Sequence, residues 1–166
     1  MAVFQSADGD YINSIKTIEW LADNSADDPQ FERICRTSLA TLYHYSGQDN
    51  AFMPQFERVL FLAANMPAGK NRMWGRVNDL EPIKAVADIV IGQYEPAEVY
   101  FKTRFEGKGS NLYVKCSCMY ELAIIYNRTN NTSEMTRCFE WLAEHGNDLY
   151  FARMARQKLL EGATAK

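Results

Sequence analysis

The side chains that could act as acids, bases or nucleophiles are few in this sequence and far apart. The two histidines, His44 and His145, stand about a hundred residues from each other, and no HExxH, GxSxG or phosphate-loop pattern occurs. Four glutamates lie beside apolar residues inside helical patterns: Glu19, Glu57, Glu121 and Glu140. Because such carboxylates are usually solvated on a helix face, a structural role is favoured over paired acid and base catalysis. We predict a protein that is not an enzyme, with an enzyme of unrecognised site as the open alternative.

The four cysteines could bind a metal or form disulfides. Cys116 and Cys118 lack the two-residue spacer of zinc and redox pairs, and on a helix they point in different directions. Three of the four sit in periodic apolar segments, where a thiol behaves as a small hydrophobe. The pattern predicts free buried thiols in a reducing compartment, with no metal and no cofactor.

A basic segment at 65–79 could contact nucleic acid. It carries three cations and one aromatic side chain: Lys70, Arg72, Arg76 and Trp74. Basic residues interleaved with an aromatic bind single strands by charge and stacking. Three charges give low affinity at physiological salt, however, and packing of Trp74 over a helix end is the favoured reading. Nucleic-acid contact through this basic loop is kept as the alternative function.

The bulk composition is that of an ordinary globular chain. The 166 residues are 47% apolar and 23% charged, and the net charge of −3 gives no general attraction to nucleic acid or anionic lipid. A chain of this length predicts a single domain over residues 1–166. Its first residues have no basic region followed by a long apolar run, and no segment approaches the ~20 apolar residues that span a bilayer. We expect a cytoplasmic protein with no membrane partner.

The elements that position these side chains are helices. Apolar residues recur at helical spacing, and no part of the chain shows sustained two-residue alternation, so an all-α fold is predicted. Helices are expected over 11–22, 29–47, 52–64, 79–92, 97–105, 112–126, 133–144 and 148–160.

The chain repeats itself with a shift of 83 residues. The shift superposes four pairs in one helical hairpin: Leu39 on Leu122, Ala40 on Ala123, Tyr43 on Tyr126 and Gly47 on Asn130. Glycine and asparagine are the two residues that tolerate a left-handed turn, so the last pair keeps its chemistry. Turns are then predicted at Gly9, Gly47, Gly92 and Asn130, with gaps of 38, 45 and 38 residues.

The stretch 38–60 has the spacing L-A-x-x-Y, a turn glycine, and then Phe52 and Phe56 one helical turn apart. This pattern resembles a tetratricopeptide (TPR) repeat, whose unit is a helical hairpin of roughly 34 residues. The resemblance implies a TPR-like right-handed α-α superhelix, here of about three hairpins plus a terminal helix. It implies a protein- or peptide-binding module such as an adaptor, chaperone or regulatory subunit.

In such a superhelix the first helix of each hairpin lines a concave groove where partners dock. Projection of these helices gives eight groove residues: Thr37, Thr41, His44, Tyr45, Tyr120, Ile124, Asn127 and Arg128. TPR domains that hold a C-terminal carboxylate use lysine and asparagine at such positions, and this chain has threonine, tyrosine and isoleucine at four of them. The groove therefore suits an extended or helical apolar segment. The identity of the partner and a homo-oligomeric state are left open.

Overall fold

The computed structural model describes residues 11–65 and 80–164, the last two as backbone only. Four helices precede Gly92: α1 (Tyr11–Asp23), α2 (Pro29–Tyr45), α3 (Asp49–Asn65) and α4 (Glu81–Val90). Four more follow it: α5 (Tyr94–Glu106), α6 (Leu112–Arg128), α7 (Thr132–His145) and α8 (Tyr150–Thr164). Within these ranges the fold is all-α with no strand, as predicted. None of the described helices is long and apolar enough to cross a lipid bilayer.

The helices belong to two compact units, the first ending at Ile91 and the second beginning at Gly92. In the first unit α2 packs between α1 and α3, and α4 contacts α2 and α3. In the second unit α6 packs between α5 and α7, and α8 lies against α7 and also contacts α6. The predicted hairpin around Gly92 falls on the division, so α4 and α5 are assigned to different units. The single domain over 1–166 stays a prediction.

The 83-residue repeat appears directly in the helix bounds. Helices α1 and α5 differ by 83 at both ends, α2 and α6 do the same, and α3 and α7 begin 83 residues apart. The caps repeat as well, because Asp28 accepts from the amide of Phe31 at 3.0 Å and Asn111 accepts from that of Val114 at 3.0 Å. A side-chain acceptor at this position satisfies an amide at the helix start, so each half begins its second helix in the same way.

The predicted turns are confirmed at Gly47, Gly92 and Asn130, whose φ angles are +74°, +82° and +58°, while Gly9 lies outside the described residues. Gly47 and Asn130 close equivalent hairpins. In the first turn the amide of Gln48 donates to the carbonyl of Tyr43 at 2.8 Å. In the second, residues 131 and 126 make the same bond at the same distance. This bond closes the end of the first helix and reverses the chain into the next.

Each unit has its own apolar core. In the first, Leu39, Phe52 and Val59 are fully buried, and in the second Ile125 and Leu142 are. All four cysteines are buried and unbridged, which confirms the prediction of free buried thiols.

The helix faces are buried to different extents. On α1 the apolar residues Ile12 and Trp20 are 67% and 64% exposed. The prediction of solvated carboxylates is confirmed for Glu57 and Glu140. It is wrong for Glu121, which is 2% exposed on α6, the central helix of its unit.

Candidate functional site

The predicted groove residues of the first unit lie along α2. Thr37, Thr41 and Tyr45 are half-buried, and both threonine hydroxyls donate to carbonyls of their own helix, at 2.8 and 3.0 Å. His44 is 3% exposed. Its ring lies 6.3 Å from that of Phe52 on α3, so it packs inside the hairpin. Thr37, Thr41 and Tyr45 are therefore the accessible members of the set.

The predicted groove residues of the second unit lie along α6. Asn127 is exposed, and Ile124 and Arg128 are half-buried. Tyr120 is 8% exposed, with the ring of Phe151 on α8 at 5.5 Å. Burial raises the pKa of Tyr120 to about 12, so its hydroxyl is neutral at physiological pH. Sequence periodicity could not show that α8 would cover this tyrosine.

A tyrosine shared by both repeats joins the second helix of each unit to the helix before it. The hydroxyl of Tyr43 donates to Glu19 on α1. The hydroxyl of Tyr126 donates to Glu98 on α5 at 2.8 Å. Desolvation, followed by the bond to Glu19, raises the pKa of Tyr43 to about 12. These phenols are held as neutral donors, which makes them structural links and poor candidates for a catalytic base.

In the first unit the space beside this tyrosine is filled by a charged network. The guanidinium of Arg36 lies 2.9 Å from Asp23 on α1, 3.2 Å from Gln55 on α3 and 3.4 Å from Glu32. Glu32 is 4% exposed and also receives two bonds from Arg58, at 2.9 and 2.8 Å. The Arg58 bonds hold the pKa of Glu32 below its ordinary value. Arg36 therefore ties three helices together.

In the second unit a cavity of about 210 Å³ lies at the equivalent place. Three of its lining residues correspond by the 83-residue shift to members of the network: Met119 to Arg36, Glu106 to Asp23 and Cys138 to Gln55. The remaining lining residues are Lys102, Phe105, Leu122, Tyr126, Glu134 and Arg137. The long cation that fills the first junction is absent from the second, so a space remains.

The titratable groups around the cavity have shifted pKa values. Burial raises the pKa of Cys138 to about 12, so the thiol is protonated and a weak nucleophile. The Lys102 ammonium lies 2.6 Å from Glu98, and this bond holds the pKa of Glu98 low and that of Lys102 high. Across the described residues no group of three histidine, cysteine or acidic side chains could hold a metal ion. The arrangement offers recognition by shape and charge.

The basic loop lies outside the described residues. Residues 66–79 contain all four of its members, Lys70, Arg72, Trp74 and Arg76. Nucleic-acid contact through this loop stays a prediction from sequence alone.

Comparison of the chain with family models, with curated proteins and with solved structures finds no match. The two halves of the chain can, however, be compared with each other. They share 83-residue spacing, caps and turns, while the chemistry of the two junctions differs. Because the two halves share their helix arrangement, they differ at the junctions in their side chains.

Proposed function

We propose that the protein is a non-enzymatic protein- or peptide-binding module, in the manner of an adaptor, chaperone or regulatory subunit. The observation that carries the proposal is the repeated helical hairpin with its left-handed turn at Gly47 and Asn130. Hairpins repeated along a chain are the building plan of solenoid proteins, which bind partners along stacked helices. The TPR-like right-handed superhelix and a cytoplasmic location are parts of this proposal.

The binding surface in this proposal is the accessible part of α2 and of α6. Tyr45 and Arg128 correspond by the 83-residue shift, and both are half-buried, with side-chain types that recur at binding hot spots. Thr41, Ile124 and Asn127 are also accessible on these helices. A partner segment laid along such a helix meets mostly neutral side chains, which suits an apolar extended or helical peptide.

Photocrosslinking from single positions in the full chain tests this surface. Benzoylphenylalanine at position 45 or 128 is expected to capture a polypeptide partner in cells. The same group at position 57 or 140 is a matched control, because Glu57 and Glu140 are exposed, repeat-related residues on α3 and α7. Equal capture from the control positions would contradict the proposed surface.

The identified partner then allows a direct measurement with purified proteins. Tyr45→Ala and Arg128→Ala are expected to weaken binding, each by about tenfold, while circular dichroism shows an unchanged helical content. If the two variants lose stability and keep their affinity for the partner, the surface is structural and the proposal fails.

A further inference from the structure

The cavity of the second unit retains the acid of the first junction without the cation that neutralises it. In the first unit Asp23 receives the Arg36 guanidinium at 2.9 Å. In the second, Glu106 stands at the position of Asp23, and Met119 replaces the arginine. Among the described residues Glu106 makes no ion pair. One negative charge is thus left at the mouth of a space that a side chain could enter.

The other charges around the cavity are already paired. Lys102 is bound to Glu98 at 2.6 Å, and Arg137 to Glu134 at 2.6 Å. Lys115 lies 5.6 Å above the Phe105 ring and does not line the cavity. Of the four charged lining residues, Glu106 is thus the one without an ion-pair partner among the described residues, and its carboxylate can receive a single cation.

The walls of the cavity suit an unbranched apolar stem. Met119, Leu122 and Phe105 line it, and the Phe105 ring is fixed edge-on to Trp141 at 5.1 Å. The volume of about 210 Å³ is below the roughly 300–1,000 Å³ of sites for drug-sized ligands. A single long side chain is the occupant that matches this size.

We infer that this cavity accepts an arginine side chain of the protein partner, with its guanidinium on Glu106 and its stem against Met119 and Leu122. The inference rests on the proposed binding function and adds a specificity element to it. The first unit holds its own arginine at the equivalent place, with the guanidinium on the equivalent acid. Arginine is favoured over lysine because a planar guanidinium can bind a carboxylate through two bonds.

The test uses short blocked peptides with alanine around one central residue, titrated into the full chain with methyl-labelled methionines. The central residue is arginine, citrulline, lysine or methionine. Arginine is expected to shift the Met119 methyl resonance in a saturable manner and to bind several-fold more tightly than citrulline, its neutral isostere. Equal affinity for citrulline or methionine, or no saturable shift with arginine, would overturn the inference.

Two variants locate the binding. Glu106→Gln is expected to weaken the arginine peptide by roughly two- to fivefold, as for a partly exposed ion pair, while Glu95→Gln, an exposed change on the same helix, leaves it unaltered. Met119→Arg lacks the reporting methyl group, so its peptide binding is followed by calorimetry, and this variant is expected to abolish binding because the new side chain occupies the cavity as Arg36 does in the first unit. Undiminished binding in folded Met119→Arg protein would place the arginine elsewhere and reject the inference.

This experiment can fail separately from the proposed function. The peptide titration reports on Met119 and Glu106 alone, whereas crosslinking reports on Tyr45 and Arg128. A partner captured at the helix faces whose affinity is unchanged by Met119→Arg would support the binding module and reject the arginine site.

Discussion

The first and second units fill the same junction of three helices in different ways. In the first, Arg36 reaches from α2 to Asp23 on α1 and Gln55 on α3. In the second, Met119 occupies the arginine position and a cavity of about 210 Å³ remains. The Tyr43 and Tyr126 hydroxyls beside these junctions keep their bonds to glutamates on the preceding helices. The repeated arrangement of helices is therefore compatible with either a filled or an open junction.

This difference separates two kinds of position. Turn and core residues are constrained by backbone geometry and close packing, which leave few alternatives. A junction residue at the edge of the core only has to satisfy its own polar groups, so its chemistry can change without a change of fold. The side chains of the open junction can therefore differ from those of the filled one while the helices keep their arrangement.

The largest effect is expected from truncating the equivalent core leucines. Leu39 is fully buried, whereas Leu122 is 4% exposed and lines the cavity. Leu39→Ala should lower the free energy of unfolding by about 3–5 kcal/mol, and Leu122→Ala by about 2–3 kcal/mol, because fewer packed neighbours are lost beside an existing space. Urea unfolding followed by circular dichroism measures both. A larger loss for Leu122→Ala would show that the second junction is as closely packed as the first.

The second effect concerns Glu32, a buried acid of the first unit with no acid at its repeat position in the second. Lys115 stands at the equivalent position in the second. Glu32→Gln weakens two bonds from Arg58 and one from Arg36, and we expect a loss of about 2–3 kcal/mol at pH 7. The Arg58 side chain is 42% exposed, so water limits the loss. Glu57→Gln, an exposed change, is the control and should remain within about 0.5 kcal/mol of wild type.

The same acid makes the stability of the first unit depend on pH. The Arg58 bonds lower the pKa of Glu32 in the folded state below the ordinary 4.5. A lowered folded pKa gives stability that is present above the unfolded value and lost as the pH falls from about 4.5 through the folded pKa. The difference between wild type and Glu32→Gln should therefore narrow between pH 5 and pH 3 in urea unfolding. A constant difference over this range would show that Glu32 contributes through packing and not through its charge.

The third comparison tests the turns that both halves share. Gly47 has a φ of +74°, and a Cβ added there would meet no atom within 4 Å. Gly47→Ala should therefore cost about 1–2 kcal/mol through backbone conformation alone. Asn130→Gly removes the strain of a φ of +58° but adds chain entropy, so a change within about 0.5 kcal/mol is expected. A large loss for Asn130→Gly would mean that the asparagine side chain makes a contact that the glycine turn lacks.

The sequence was sufficient to predict the repeated frame, because turns and helix periods are local. The shift of 83 residues, the left-handed turns at 47 and 130 and the buried thiols are confirmed. Each of these follows from residues within a few positions of one another or from simple self-comparison.

The junctions were not predictable in this way. Glu32 and Arg58 are 26 residues apart, and a mid-helix glutamate reads as solvated until its partner on another helix is known. For the same reason Glu121 is predicted to be solvated, whereas it is buried. Likewise, Tyr120 is covered by rings from two other helices, Phe139 on α7 and Phe151 on α8. Burial depends on contacts between helices that are distant in sequence. The apolar periodicity of one helix carries no information about those contacts.

The smallest effect comes from exchanging the two junction residues. Arg36→Met removes bonds to Asp23 and Gln55 but leaves Glu32 held by Arg58, so we expect a loss of about 1 kcal/mol, or roughly 2–4 °C in Tm. Met119→Arg should be neutral or stabilising by up to about 1 kcal/mol, because Glu106 can receive the new guanidinium.

The double exchange decides whether the junctions act independently. They share no partner residue, so the two changes should add within about 0.5 kcal/mol in thermal and urea unfolding. A clear loss of stability for Met119→Arg alone would show that the second junction does not accommodate a guanidinium. The cavity would then not be equivalent to the site that Arg36 occupies. A gain together with additivity would mean that either unit can hold the arginine itself, and that only the second lacks one.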